Sequence, residues 1–173
     1  MNSEKKVYYS SHQLSFATFH IASTDQGLAT LVIDDKDKFN NWLKKHLPNH
    51  ELIRTENHHT DIITQLEEYF AGQRYSFQLD LNFQGTAFQK KVWRQLANIP
   101  YGETITYKEL AIKVGGPNYA RAVGGANNKN PLPIVIPCHR VIGSNGKLTG
   151  YAGGLDIKEH LLQLEKKNKK KNL

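Results

Sequence analysis

The first half of the chain reads as strands followed by helices, and the second half as a run of short helices broken by proline-rich loops. Phe16-Ala17-Thr18-Phe19-His20-Ile21 is aromatic and β-branched, as strands prefer. Asp25-Gln26-Gly27 supplies a turn into a second such run, Leu28-Ala29-Thr30-Leu31-Val32-Ile33, and together they predict a hairpin. Asp35 or Asp37 can cap a helix whose apolar face is Phe39, Trp42, Leu43 and Leu47. Thr60 can cap another, with Ile62, Ile63, Leu66, Tyr69 and Phe70 at helical spacing, and Phe77-Gln78-Leu79-Asp80-Leu81 alternates like a short strand.

Beyond Gln84-Gly85 the signals are helical. Thr86 with Gln89, and Thr106 with Glu109, have capping-box spacing ahead of apolar runs. Gly115-Gly116 breaks the second of these helices, and Pro117 suits the first turn of a third running through Arg121 and Val123, so the pair outlines a helix-turn-helix. Pro131, Pro133 and Pro137 impose extended chain on an apolar, β-branched segment that leads straight to Cys138. Ser144-Asn145-Gly146-Lys147 reads as the hairpin turn of a wing. Asp156 and Glu159 are placed to cap a last helix with Ile157, Leu161, Leu162 and Leu164 inward. No internal repeat is present.

Composition narrows the class. Hydrophobic residues make up 39% of 173, enough for one domain or two small ones, and a boundary is expected between residues 1–83 and 84–173. No apolar run approaches the length of a membrane span, and the start, Met1-Asn2-Ser3-Glu4-Lys5-Lys6, is not a secretory signal. The single cysteine excludes an internal disulfide and a cysteine-rich zinc site. His58-His59 and His46 with His50 lack further ligands, so neither metal nor cofactor is expected. A soluble, cytoplasmic, monomeric protein is the expectation.

The net charge of +7 is unevenly divided: residues 1–83 carry 8 basic and 11 acidic side chains, residues 84–173 carry 15 and 5. The second half therefore attracts polyanions. Lys166, Lys167, Lys169, Lys170 and Lys171 form a run that reads as a frayed tail, yet the excess survives without them.

The chemistry concentrates in Pro137-Cys138-His139-Arg140-Val141. His139 and Arg140 beside the thiol can lower its pKa, and the thiolate is the nucleophile. A base beside a nucleophile, held by a third group, is the general arrangement for activation. Neighbours on an extended strand face opposite ways, so Pro137 must introduce a turn if Cys138 and His139 are to cooperate through a water. Glu165 is the candidate orienting acid, because few acids lie in this half.

Pro137-Cys138-His139-Arg140-Val141 resembles the active-site signature of the O6-alkylguanine-DNA alkyltransferases, the methylated-DNA–protein-cysteine methyltransferases. The likeness extends to Gly85–Gln89 with Val92-Trp93, Pro100–Thr104, Arg121–Ala126, Asn130-Pro131, Gly150–Leu155, Lys158-Glu159 and Glu165, in order from about residue 84 to 166. It implies an α+β protein: a small N-terminal α/β, RNase H-like domain, then a helical, winged helix-turn-helix domain.

The resemblance further implies irreversible, single-turnover transfer of the alkyl group of O6-alkylguanine in double-stranded DNA to Cys138, with O4-alkylthymine left open as a second lesion. A Glu165–His139–water–Cys138 chain would supply the thiolate, and the Tyr107 hydroxyl would donate to the guanine ring. Tyr151, Val141 and Ala152 would line the base pocket, with Asn130 as hinge. Arg121 would enter the minor groove as the base flips out. Tyr119, Ala120, Gly124 and Arg140 would be further DNA contacts, and Lys90, Lys91, Lys129 and Lys147 phosphate neighbours. Two positions depart from the pattern: Tyr119 replaces a small residue, and Ala152 replaces the serine of vertebrate members. Two other readings of the same residues are a DNA-binding module without chemistry and a cysteine hydrolase.

Overall fold

The computed structural model describes residues 5–171. Most of the secretory-signal reading, which rests on Met1–Lys6, lies outside them. The chain divides into two compact units, Met1–Gln84 and Gly85–Leu173.

In the first unit three strands, β1 (Lys6–Leu14), β2 (Ala17–Thr24) and β3 (Gly27–Ile33), form an antiparallel meander, and β4 (Glu51–Arg54) joins β1 in parallel. The sheet order is β3-β2-β1-β4. The expected hairpin is β2–β3, with Gly27 at φ 128° where an L side chain would be strained. Helix α1 (Lys36–His46) starts at Asp35, whose carboxylate accepts from the Lys38 amide at 2.8 Å, and lays Phe39 and Leu43 on Val7, Ala22 and Ala29.

Two expectations for this unit are corrected, and one strand goes unpredicted. Thr60 is the first residue of α2 (Thr60–Phe70) rather than its cap; the cap position is His59, and Thr60 donates to the Asn57 carbonyl. Residues 77–81 are no strand: they run extended beside Leu28, joined by Leu28 N–H to Asp80 O and Asn82 N–H to Leu28 O, each 2.8 Å. The patterning also gives no sign of β1. Its inward Ser10 is polar and buried, because it hydrogen-bonds His59 at 2.5 Å.

In the second unit both capping boxes form. Thr86 and Gln89 close α3 (Ala87–Leu96), and Thr106 and Glu109 close α4 (Tyr107–Val114). Gly115-Gly116 and a 3-10 turn at Pro117–Tyr119 lead into α5 (Ala120–Asn128), completing the helix-turn-helix. Trp93 donates from its indole N–H to the Ala126 carbonyl at 2.9 Å, tying α3 to α5. Around it Leu96, Leu110, Leu132 and Leu161 are fully buried, each contributing about 1.5–3 kcal/mol.

The proline segment is not the expected extended strand. Ile136 N–H returns to the Leu132 carbonyl at 2.9 Å, and Ile134 sits at φ 74°. The Asn130 amide holds this turn from both sides, donating to Ile136 O at 2.8 Å and accepting from Leu132 N–H at 3.0 Å. Satisfied backbone groups thus favour a compact loop over a strand.

Nor does the wing form as a hairpin. Ser144–Lys147 does turn, with Gly143 N–H on Lys147 O at 2.9 Å. However, the strand before it, β6 (Val141–Ile142), pairs in parallel with β5 (Ile105–Thr106) instead of with a returning strand.

The last helix, α6 (Leu155–Lys171), begins before Asp156 and continues through the lysine run, which is helical rather than frayed within the described residues. Its buried face is Lys158, Leu161, Glu165 and Asn168 rather than the expected leucine stripe. No helix among the described residues is long and apolar enough to cross a membrane.

Candidate active site and nucleic-acid interface

Cys138, His139 and Arg140 form a single 3-10 turn after Pro137. That turn replaces strand alternation, so all three side chains are buried on the inside of the unit. The sulfur belongs to a residue only 4% exposed. Burial pushes the thiol up to about 11; the Asn130 amide, the Lys158 ammonium and the backbone N–H groups of Cys138 and His139 pull the other way. The expectation that His139 and Arg140 hold the sulfur ionised is therefore corrected. Desolvation outweighs the neighbouring positive charge, and the resting thiol is neutral.

Arg140 shows where the expected charge went. Expected as a DNA contact, it is buried in the free protein, and its guanidinium faces Glu165. Nε donates to both carboxylate oxygens at 3.2 and 2.9 Å and Nη2 to Oε1 at 2.9 Å, while Nη1 donates to the Ile99 carbonyl at 2.5 Å. The guanidinium also lies 5.6 Å from the Tyr101 ring centre.

Glu165, 0% exposed, accepts in addition from His139 Nε2 at 2.7 Å and from Gly102 N–H at 3.0 Å. Burial alone would favour its protonated form. The hydrogen bonds and charges of His139 and Arg140 prevail and hold it well below the usual carboxylate range. The Pro100-Tyr101-Gly102 turn thus has a local purpose, since Gly102 at φ 72° aims its amide at the carboxylate.

With Nε2 committed to Glu165, His139 carries its proton there and leaves Nδ1 as the acceptor. Nδ1 is buried and has no hydrogen-bond partner. Burial lowers the His139 pKa, Glu165 opposes that shift, and Arg140 and Lys158 add to it. The imidazole is a neutral base held in one tautomer.

Tyr107, the first residue of α4, donates from its hydroxyl to the Thr149 carbonyl at 2.9 Å and lies 3.4 Å from that of Gly150. Tyr151 is buried, with its hydroxyl unpartnered. Val141 is a core residue in β6, and its carbonyl already accepts from Lys158 Nζ at 2.5 Å. Ala152 is exposed. Asn130, expected as a hinge, lies two residues beyond α5 and holds the loop that leads to the thiol turn.

Tyr119 and Arg121 are exposed at the start of α5, Ala120 and Gly124 partly so, and the Tyr119 ring stacks on Phe88 at 6.0 Å. Among the described residues no group of three or more His, Cys, Asp and Glu could hold a metal.

Sequence reasoning missed Lys158 as a site residue. Its ammonium is fully buried, donates also to Thr149 O at 2.8 Å, and is pulled down to about 8 by burial against the influence of Cys138. The signal that could have found it was its position on the α6 stripe, three residues before Leu161 and seven before Glu165.

Fold and site together define a class: a helix-turn-helix unit that carries its own buried nucleophile with an imidazole–carboxylate pair beside it. The model of the 6-O-methylguanine DNA methyltransferase DNA binding domain matches residues 87–167, and that of the same family's ribonuclease-like domain matches residues 7–83. The chain belongs to the 6-O-methylguanine DNA methyltransferase family.

A methylated-DNA–protein-cysteine methyltransferase of Methanosarcina acetivorans is 46% identical over 163 residues, 92% of this chain and 98% of that protein. The crystal structure of the Mycobacterium tuberculosis O6-methylguanine methyltransferase superposes with TM-score 0.82 at 38% identity, covering 94% of each chain. A structure of the M. tuberculosis protein in complex with DNA gives TM-score 0.82 and 38% identity, over 93% of this chain and 94% of that one.

Proposed function

We propose that the chain repairs DNA by moving the alkyl group of O6-alkylguanine onto Cys138, irreversibly and once per molecule. One observation carries this reading. The buried His139–Glu165 pair leaves imidazole Nδ1 as a free acceptor on the residue next to the only thiol.

The resting thiol is neutral, so its proton leaves only in the reactive complex. His139 takes it at Nδ1, through a bridging water, and Glu165 stabilises the imidazolium that results. Sulfur then attacks the alkyl carbon in line with O6. The S–C bond forms as the C–O6 bond breaks, the electron pair goes to the purine, and the thiol's proton in sum passes to guanine. Tyr107 donates to the ring as that charge develops. Tyr151 and the backbone of the Cys138–Val141 turn line the pocket.

Reaching O6 requires the nucleotide to leave the stack, which costs a few kcal/mol. Arg121 fills the space it vacates, with Tyr119, Ala120 and Gly124 against the minor groove. The DNA complex of the M. tuberculosis homologue supports DNA as partner. The chain acts as a monomer in this reading. The thiol must stay reduced, which places the activity in a reducing compartment such as the cytoplasm.

The test is intact mass after incubation with duplex DNA containing O6-methylguanine. One methyl is added per molecule, on the peptide bearing Cys138, and the reaction stops there. An unmodified Cys138 with lesion in excess would overturn the proposal, and continued turnover would instead indicate a hydrolase.

A further inference from the structure

Asn127, the penultimate residue of α5, is 2% exposed, and neither its amide nitrogen nor its amide oxygen has a hydrogen-bond partner. A buried amide with both ends unsatisfied opposes folding, whereas an aliphatic side chain at this point of the helix would not. Something other than stability therefore accounts for it.

Its position is defined by its neighbours. Gly124, one turn earlier on the same face of α5, lies against the Tyr107 ring: a Cβ there would sit 3.8 Å from Tyr107 Cδ1. Burial and the nearby Cys138 raise the Tyr107 pKa; Asn127, three residues on, acts on the hydroxyl in the opposite sense, although its amide makes no bond of full hydrogen-bond geometry there. In the free protein that hydroxyl is occupied elsewhere, donating to Thr149 O at 2.9 Å. A base in the pocket has to compete with that carbonyl for the same proton.

We propose that Asn127 is a positioning residue for alkyl transfer: its amide N–H donates to the Tyr107 hydroxyl oxygen when the hydroxyl turns from Thr149 to an extruded purine. Donation to the oxygen polarises the O–H and makes it a stronger donor to the ring as negative charge builds there. This rests on the alkyltransferase reading above and deepens it. Tyr107 touches the base, and Asn127 acts through Tyr107.

The test is a double-mutant cycle on single-turnover methyl transfer from O6-methylguanine duplex at saturating DNA, using wild type, Asn127→Leu, Tyr107→Phe and the double variant. Asn127→Leu is expected to slow transfer by about tenfold. It should leave the affinity for lesion duplex, measured in a Cys138→Ser background, unchanged. Its melting temperature should not fall, because an unsatisfied amide is replaced by an apolar group of similar size. In the Tyr107→Phe background the same substitution should cost nothing further. Asn127→Met, unbranched, should repeat the result where Leu crowds the helix.

Transfer by Asn127→Leu at the wild-type rate would overturn the proposal, as would an equal loss in the Tyr107→Phe background or a lowered melting temperature. Absence of transfer by the wild type itself would instead overturn the alkyltransferase reading.

Discussion

Arg140 reaches Glu165 with three hydrogen bonds between 2.9 and 3.2 Å, and the pair is shut off from solvent. Two sequence neighbours of the thiol thus serve one carboxylate. His139 takes one of its oxygens, and Arg140 spans both. The arrangement neutralises a charge that could not otherwise be buried. Arg140→Ala is expected to lower stability by about 3–5 kcal/mol, because it strands an ionised carboxylate in the core. The salt dependence of DNA binding should stay as in wild type. Denaturant melts beside a salt titration check this, and a reduced salt slope with intact stability would make Arg140 a phosphate contact after all.

The second expectation concerns the pH at which the sulfur becomes reactive. With the thiol pushed up to about 11, the free protein should react slowly with iodoacetamide at pH 7–8 and faster with each pH unit above 9. Transfer from lesion DNA should not follow that curve, since His139 removes the proton inside the complex. Its rate should fall only on the acid side, below the ordinary histidine value near 6.5, because the His139 pKa is lowered and the base stays neutral above it. Parallel pH profiles of the two reactions settle this, and coincident curves would mean that the thiolate exists before DNA binds.

Much of the second unit was legible because its signals are local. Thr86 with Gln89, and Thr106 with Glu109, satisfy their own helix ends, so spacing alone placed both starts. The buried side of α6 was legible only in part. Lys158 reads as a surface charge by residue type, and only long-range partners, the Val141 and Thr149 carbonyls, make it core; Glu165 is expected as the orienting acid, but its bonds to Arg140 and Gly102 have no sequence signal. The 131–137 loop was misread for the same reason. Proline and β-branched residues favour extension, while the turn is imposed by one amide, that of Asn130. In the first unit, Ser10 and Ser23 look like surface positions until His59 bonds both.

That histidine makes a third expectation. His59 lies between Ser10 Oγ at 2.5 Å and Ser23 Oγ at 2.9 Å, and burial, with help from His58 and His12, lowers its pKa to about 4. The unfolded chain binds a proton near pH 6.5 that the folded chain refuses until about pH 4. Stability is therefore fully present above 6.5 and declines as pH falls through that window, by about 3 kcal/mol at most. His20, His46 and His139 are lowered too and add slope of the same sign. His59→Gln should flatten the stability curve between pH 6.5 and 4 in part. An unchanged curve would mean that His59 titrates normally in the folded protein.

The last expectation separates two kinds of positive charge. Lys166, Lys167, Lys170 and Lys171 are exposed on α6, whereas Lys169 pairs with Glu103 and Asn168 donates to the Tyr101 hydroxyl at 3.3 Å. Cutting the chain at 166 would therefore disturb the fold as well as the charge. Replacing the four exposed lysines by glutamine removes charge alone. If they meet phosphates, the slope of log affinity on log salt should become shallower by about 0.9 for each phosphate no longer neutralised. Methyl transfer at saturating DNA should be unaffected, since all four are exposed and none is among the proposed site residues. Arg121→Ala should change the slope by no more than a single phosphate would and yet slow transfer at saturation, because nothing then holds the vacated place in the stack. A quadruple variant that slows transfer at saturation, or an Arg121→Ala protein that transfers at full speed, would break the division between charges that gather DNA and the one side chain that replaces a base.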